Sequence, residues 1–149
     1  MIEIKKFENV DAQKVSKLII DIFKETNKDI SKRGEEFFLK EHSPQNLIAK
    51  WKDTFAILVL DENKLIGVGR TKKNGWITHC FVDKEYRRKG IGKMIMKKLE
   101  KWLVEKNLKE IYLNSSPFAL IFYKKLGYKL NSALKYEHHI PMYLMKKTF

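Results

Sequence analysis

The residues best suited to chemistry lie in one short stretch, where a strand ends, a basic turn with two glycines follows and an amphipathic helix begins. The turn spans residues 87–93 and reads Arg-Arg-Lys-Gly-Ile-Gly-Lys. Free N–H groups at a helix N-terminus and the helix dipole favour negative charge, and glycine lets a phosphate approach the backbone closely. Four basic side chains add positive charge there: Arg87, Arg88, Lys89 and Lys93. The stretch therefore predicts a phosphate-binding turn.

Spacing separates this turn from two common phosphate motifs. A Walker loop needs a glycine where Arg87 stands and Ser or Thr where Met94 stands. A dinucleotide fingerprint needs a third glycine at Ile95, and here the preceding strand lies mid-chain in a meander. The pattern that fits is Arg-x-x-Gly-x-Gly, from Arg87 to Gly92. It resembles the pyrophosphate-binding turn of the GNAT superfamily of N-acetyltransferases.

A second segment, residues 117–128, strengthens the resemblance. Ala119 is followed by Phe122-Tyr123 and then Gly127-Tyr128, which is similar to the family's Ala and Phe-Tyr-x-x-x-Gly-Phe/Tyr element. As structure alone, it predicts a helix that Pro117 opens and that stops at Gly127, where glycine suits a left-handed cap. The two elements occur in order with a strand between them. The resemblance is specific over about residues 78–128 and rests on element order upstream.

The chain departs from the family's pattern at two positions. Lys84 stands where Pro is common before the turn, and Arg88 stands where Gly is common. Both glycines of the turn are retained, but Arg88 is expected to give its position a non-glycine backbone conformation. The loop from Asn114 to Pro117 is also short, which affects how the pantetheine end of the cofactor is held.

The resemblance implies acetyl-coenzyme A as cofactor and direct transfer to a bound amine, without a covalent enzyme intermediate. It implies that the N–H of Val82 polarises the thioester carbonyl and that Asn114 hydrogen-bonds the pantetheine or the entering amine. Tyr123 matches the position that often protonates the departing thiolate, and its alternative role is packing beside Phe122. The expected cofactor-binding residues are Val82, Arg87, Arg88, Lys89, Gly90, Ile91, Gly92, Lys93, Asn114 and Tyr123.

A base must remove a proton from the amine, and the sequence leaves its identity open. His79 lies on the central strand and has an ordinary pKa of about 6.5. Strand alternation places it on one face with Ile77 and Phe81, so a packed core histidine is the alternative. Further candidates are Glu35, Glu36, Glu137, His138 and His139, or a water relay. No metal is expected, because the His79-Cys80 and His138-His139 pairs lack zinc-ligand spacing.

Hydrophobic periodicity predicts the elements that position these residues. Helices are expected at 11–26, 31–41, from Ser43-Pro44, at 90–106 and at 117–127, and strands at 2–7, 55–60, 65–71, 76–82, 110–114, from Tyr128 and at 141–146. The order predicts an α/β protein with a mixed α+β sheet in one domain, residues 1–149. The resemblance specifies a GNAT-like fold with a mainly antiparallel N-terminal half, splayed central strands and helices on both faces.

Composition restricts the alternatives. The chain carries 31 Lys+Arg against 18 Asp+Glu, or +13, and 44% hydrophobic residues. A basic nucleic-acid-binding module is one alternative, but the lysines are scattered and the aromatic residues follow core patterns. A non-catalytic acyl-coenzyme A sensor is another. We expect a cytoplasmic monomer or homodimer that binds neither nucleic acid nor membrane, with a small-molecule or peptide amine acceptor held by residues 26–51 and 130–140.

Overall fold

The computed structural model describes all residues, 1–149, as a curved sheet between two layers of helices. In chain order the elements are β1 (Ile2–Lys6), α1 (Ala12–Thr26), α2 (Lys32–Glu41), α3 (Pro44–Lys50), β2 (Phe55–Asp61), β3 (Lys64–Thr71), β4 (Trp76–Val82), α4 (Ile91–Val104), β5 (Glu110–Ser115), α5 (Leu120–Lys125), β6 (Lys129–Leu130), β7 (Lys135–Glu137) and β8 (Ile140–Thr148). No helix among them is long and apolar enough to cross a membrane.

The sheet has the order β1-β2-β3-β4-β5-β8-β6, and β7 pairs with β8. Strands β1 to β4 are antiparallel neighbours, and β5 pairs antiparallel with β8. The pairing of β4 with β5 is parallel. The mixed sheet and the antiparallel first half predicted from the sequence are therefore confirmed.

Each face of the sheet buries its own apolar cluster. Fourteen buried residues, including Ile95, Leu99 and Met145, lie on the face covered by α4 and α5. Eight buried residues, including Ile19 and Leu58, lie on the face covered by α1, α2 and α3. The apolar residues of α1 and α4 are buried against the sheet, because residues three and four apart share one helix face.

The central strands β4 and β5 separate soon after they meet. They pair only at Trp76 with Tyr112 and at Ile77 with Leu113, although β4 continues to Val82. A register shift between β3 and β4 leaves Thr78 as the extra residue of a bulge. The predicted splay is confirmed, and it opens at this bulge.

The bulge corrects one prediction about side-chain direction. Simple alternation placed Ile77 on the same face as His79 and Phe81. In the structure Ile77 belongs to the α4-side cluster, and Phe81 packs against the α1-side cluster. The ring of His79 lies against Trp51, on the α1 side. The extra residue at Thr78 shifts the alternation by one, because a bulge adds a residue to one strand only.

Local signals account for most element ends. Ser31 and Ser43, where two helices were expected to begin, cap α2 and α3, and each side chain accepts from the N–H three residues on. The prediction that Pro117 opens a helix is wrong: residues 117–119 form a turn, and α5 begins at Leu120. The last stretch contains three strands rather than two, because a hairpin at residues 135–148 adds β7.

Candidate active site

The turn before α4 presents an open row of backbone donors. The first helical hydrogen bond runs from the N–H of Met94 to the carbonyl of Gly90 at 3.0 Å, and the N–H groups from Arg88 to Lys93 have no acceptor within the chain. Gly90 has φ +84°, and a Cβ built there would have no heavy atom within 4 Å. Arg88 adopts φ +62°, so the non-glycine conformation expected there is wrong: the residue takes the left-handed conformation that normally favours glycine. The turn therefore presents unpaired backbone donors and open space above Gly90.

The two sequence segments that carried the resemblance meet at Gly92. A Cβ at this position would lie 3.0 Å from Cζ of Phe122, so the absence of a side chain lets α5 pack on the first turn of α4. Phe122 in turn makes an edge contact with Tyr123, with ring centroids 5.1 Å apart. The packing of α5 on α4 thus sets the position of Tyr123 relative to the turn.

The gap between β4 and β5 contains unpaired backbone donors of β4. The N–H of Asp83 donates to the carbonyl of Ile66 at 2.8 Å, which makes these two residues a hydrogen-bonded pair. Because such pairs alternate along an antiparallel ladder, the N–H groups of Val82 and Cys80 point away from β3 and into the gap. Asn114, near the end of β5, has an exposed side chain that makes no hydrogen bond within the chain.

Tyr123 lies beside Cys80 with its ring buried. Its hydroxyl makes no hydrogen bond within the chain, yet every fully buried side-chain polar atom has a partner, so this hydroxyl reaches solvent. Burial raises the pKa of Tyr123 well above its usual value, which keeps the hydroxyl protonated. It can therefore act as a hydrogen-bond or proton donor.

Cys80 is not an activated nucleophile. Burial raises the pKa of its thiol to about 12, and its Sγ lies 3.8 Å from the carbonyl oxygen of Gly92. Reactive cysteines have a lowered pKa and are partly exposed to an electropositive environment. A covalent acyl-cysteine at this position is therefore disfavoured.

Arg87 is bound mainly to protein groups. Its Nη1 and Nη2 lie 2.6 and 2.7 Å from the carboxylate oxygens of Glu25, at the C-terminal end of α1. Its Nε donates to the carbonyl of Val82 at 3.2 Å, and its guanidinium lies 5.3 Å from the ring centre of Phe118. The hydrogen bonds from Arg87 lower the pKa of Glu25. The positive charge expected from Arg87 is thus matched by a carboxylate, whereas Arg88, Lys89 and Lys93 are exposed.

His79 is part of a hydrogen-bonded chain on the other face of β4. Its Nε2 lies 2.8 Å from Nε2 of His42, and its Nδ1 lies 2.8 Å from Oγ1 of Thr78. His42 Nδ1 faces the carbonyl of Phe38 at 2.9 Å, so His42 must donate there and accept from His79. Nδ1 of His79 then accepts from the Thr78 hydroxyl. Both ring nitrogens of His79 are therefore occupied, and its role as base stays a prediction.

Desolvation keeps His42 and His79 neutral. It is the largest cause of the lowered pKa of His42 and of His79. Arg70 adds to this, because its Nη1 donates to Thr78 at 3.2 Å and its positive charge opposes a second charge on either ring. The guanidinium of Arg70 also donates to the carbonyl of Lys50 at 2.9 Å and lies against Trp51.

A cleft of about 580 Å³ opens between the α1–α2 loop and the β7–β8 hairpin. It is lined by Asp29, Ile30, Ser31, Tyr136, His138, His139 and Pro141. His138 and His139 form the hairpin tip with φ +51° and +67°, and His138 stacks on Phe37 at 3.9 Å between ring centroids. Apart from Pro141, the lining residues fall within the regions from which an acceptor pocket was predicted, 26–51 and 130–140. Of the predicted base candidates, His138 and His139 line this cleft.

Sequence reasoning missed several residues around the site: Glu25, His42, Arg70, Thr78 and Phe118. Glu25 and Arg87 are 62 residues apart, and His42 and His79 are 37 apart. Each stands in an ordinary helical, strand or loop pattern. No local signal marked them, since their partners are set by tertiary packing.

Comparison with known proteins assigns the class. Residues 25–149 match the acetyltransferase (GNAT) domain family. The chain is 33% identical over 141 residues to an uncharacterized N-acetyltransferase, YjcF, from Bacillus subtilis, which covers 88% of this chain and 99% of that protein. The chain therefore belongs to the GNAT family of acetyltransferases.

Two further similarities agree with this. An uncharacterized Bacillus subtilis protein, YyaT, is 38% identical over 94 residues, a match that spans 61% of this chain and 64% of that protein. The PaiA N-acetyltransferase of Thermoplasma acidophilum, solved in complex with coenzyme A, superposes with a TM-score of 0.84 over 100% of this chain and 99% of its own. At 20% identity this last likeness concerns the fold.

Proposed function

We propose that this protein transfers the acetyl group of acetyl-coenzyme A directly to a primary amine of a small molecule or peptide, both substrates being bound at once. The observation that carries the proposal is the meeting of two features: the gap between β4 and β5, and the unpaired N–H groups from Arg88 to Lys93 at the same end of β4. A phosphate-bearing, extended cofactor fits such a combination.

The residues present suit coenzyme A. The open space over Gly90 and the N–H row at the start of α4 would hold the pyrophosphate, with exposed Arg88, Lys89 and Lys93 adding charge. When bound, acetyl-coenzyme A supplies an activated thioester carbonyl and a thiol leaving group. The N–H of Val82, directed into the gap, would polarise a carbonyl placed there. Asn114 offers a free amide at the opposite wall.

Tyr123 is the proposed donor to the departing sulfur. Its hydroxyl is protonated, has no hydrogen-bond partner within the chain and lies at the edge of the core, on the cofactor side of β4 beside Cys80. Direct transfer is favoured over a covalent intermediate because the thiol nearest to this hydroxyl is held protonated by burial.

The amine would enter from the face of α1 and α2. We assign it to the cleft between Asp29 and the hairpin tip, where imidazoles of His138 and His139 are available as proton acceptors. His79 also lies on this side of β4, but both of its ring nitrogens are already hydrogen-bonded, to His42 and Thr78. A water molecule or a histidine of the cleft is therefore the preferred base. The net charge of +13 favours an acidic or phosphorylated acceptor.

A two-stage assay tests the proposal. Thermal shift with coenzyme A, ATP and a short DNA duplex should give a stabilisation with coenzyme A that persists in moderate salt, whereas binding to DNA would fall steeply with salt. Thiol release from acetyl-coenzyme A should then appear with at least one member of a panel of small amines, polyamines, amino acids and peptides. Binding without release across the panel would favour the acyl-coenzyme A sensor instead.

A further inference from the structure

The guanidinium of Arg87 bridges three parts of the molecule that are distant in sequence. It joins Glu25 of α1 by two short hydrogen bonds, the carbonyl of Val82 at the end of β4, and the ring of Phe118 in the loop after β5. The side chains of Arg87 and Glu25 are 24% and 28% exposed, so the pair is shielded more than an ordinary surface ion pair. A bidentate pair of this kind fixes orientation as well as distance.

The bond to Val82 replaces one that a neighbouring strand would supply. Beyond Ile77, β5 no longer pairs with β4, so the carbonyl of Val82 faces the gap instead of a strand. Nε of Arg87 satisfies it, while the N–H of Asp83 in the same peptide donates to Ile66 on the other side. The last peptide of β4 is therefore held at both ends.

We propose that Arg87 is a positioning residue: held by Glu25, it fixes the end of β4 so that the N–H of Val82 points at the reacting carbonyl, and its charge is not what binds the pyrophosphate. This inference rests on the proposed transfer function. It also links the two substrates, because Glu25 lies in the last turn of α1, the helix that leads into the cleft loop at Asp29.

The alternative role, a direct phosphate ligand, makes opposite predictions. A phosphate ligand acts through its charge, so Arg87→Lys would keep most of the affinity for coenzyme A. A positioning residue acts through geometry, so lysine would not replace it: a single ammonium cannot reproduce the two bonds to Glu25 and the Nε bond to Val82. In the positioning role the catalytic rate falls in both Arg87→Lys and Arg87→Met while the affinity for coenzyme A is kept. In the phosphate-ligand role Arg87→Met weakens that affinity, and Arg87→Lys keeps both affinity and rate.

The test uses Glu25→Gln, Arg87→Lys, Arg87→Met and the double variant Glu25→Gln/Arg87→Met. The double variant keeps the net charge, so it separates geometry from electrostatics. We expect kcat in thiol release to fall by about tenfold to a hundredfold in each variant, with the double variant no worse than the Arg87→Met single. The Kd of the double variant for coenzyme A, from calorimetry, should stay within about threefold of wild type, a shift of less than about 1 kcal/mol.

Asp21→Asn serves as the matched control, since it breaks an exposed ion pair with Lys17 on the same helix. It should leave kcat and Kd unchanged. Three results would overturn the inference. The double variant could weaken coenzyme A binding by about tenfold or more, the double variant could retain the wild-type kcat, or Arg87→Lys could retain the wild-type kcat.

A readout that needs no acceptor keeps the two proposals separable. In backbone amide NMR spectra of the cofactor-free protein, Glu25→Gln should shift or broaden the resonances of Val82 and Asp83, which it does not contact, and Asp21→Asn should not. Unmoved Val82 and Asp83 resonances would overturn the positioning role. If Glu25→Gln moves the Val82 and Asp83 resonances but the wild type releases no thiol, the transfer function alone is contradicted.

Discussion

On the face covered by α4 and α5, the groups suited to function are backbone N–H groups and one tyrosine, set on fourteen buried apolar residues. On the face covered by α1, α2 and α3, the apolar cluster has eight buried residues and is interrupted by the chain from Arg70 through Thr78 and His79 to His42. The cleft on this second face is shaped by two separate segments.

The difference follows from what each side must hold. A pyrophosphate can be held by the backbone of one turn, so a short local motif suffices and the scaffold beneath it is apolar and close-packed. An amine acceptor must be recognised by side chains, which here come from distant segments. Cofactor binding on the first face should therefore be sensitive to side chains added at glycine positions. Acceptor binding on the second face should be sensitive to the chemical type of its side chains.

The largest effect is expected at Gly90. Gly90→Glu places a carboxylate over the N–H row and should weaken coenzyme A binding on the order of a hundredfold or more, because like charges in contact cost several kcal/mol. The fold should survive, since a side chain at Gly90 meets no neighbour. Calorimetry measures the affinity, with Gly90→Ala as the control for backbone strain alone. Unchanged affinity in Gly90→Glu would break the assignment of the cofactor to this face.

The second effect concerns Tyr123. Tyr123→Phe should lower kcat about a hundredfold by removing the proton donor, while the Kd for coenzyme A is kept. Tyr128→Phe is the comparison variant: it removes a buried hydroxyl that donates to Glu100 at 2.6 Å, so it should cost about 1–3 kcal/mol of stability without affecting kcat. Thiol release and urea unfolding measure the two quantities. Wild-type turnover by Tyr123→Phe would remove the tyrosine from the mechanism.

The third effect tests the close packing of α4 on the sheet. A Cβ at Gly69 would lie 2.3 Å from Cγ2 of Ile95, whose side chain is fully buried. Gly69→Ala should therefore lower the free energy of unfolding by about 1–3 kcal/mol. Gly67→Ala should cost less, because the nearest atom to its Cβ would be the terminal Cδ1 of Ile95, at 3.1 Å. Equal urea midpoints for Gly69→Ala and wild type would show that this face tolerates added volume.

The smallest effect is a pH dependence of stability from the other face. The folded protein holds His42 and His79 neutral, with a pKa below the unfolded value of about 6.5. Below that pH the unfolded chain binds protons that the folded chain does not, so stability should fall as the pH drops from 7 to about 5.5, by about 1 kcal/mol. His79→Gln should reduce this fall in urea unfolding. An unchanged pH dependence would contradict the neutral buried pair.

Short-range patterns in the sequence predicted much of this protein. Hydrophobic periodicity placed the helices and most strands, Ser31 and Ser43 marked two helix starts, and the glycine spacing from Arg87 to Gly92 located the turn. These features depend on residues a few positions apart, so they can be recognised in the sequence.

Tertiary structure alone decided the bulge at Thr78, the partner of Arg87 and the occupied ring of His79. No residue type in the sequence marks the extra residue of a bulge. The bulge at Thr78 places Ile77 on the face opposite to the one predicted. A carboxylate 62 residues away neutralises Arg87 only because the end of α1 packs beside the end of β4. Such pairings depend on which surfaces the sheet brings together, and that information is distributed over the whole chain rather than written at either residue.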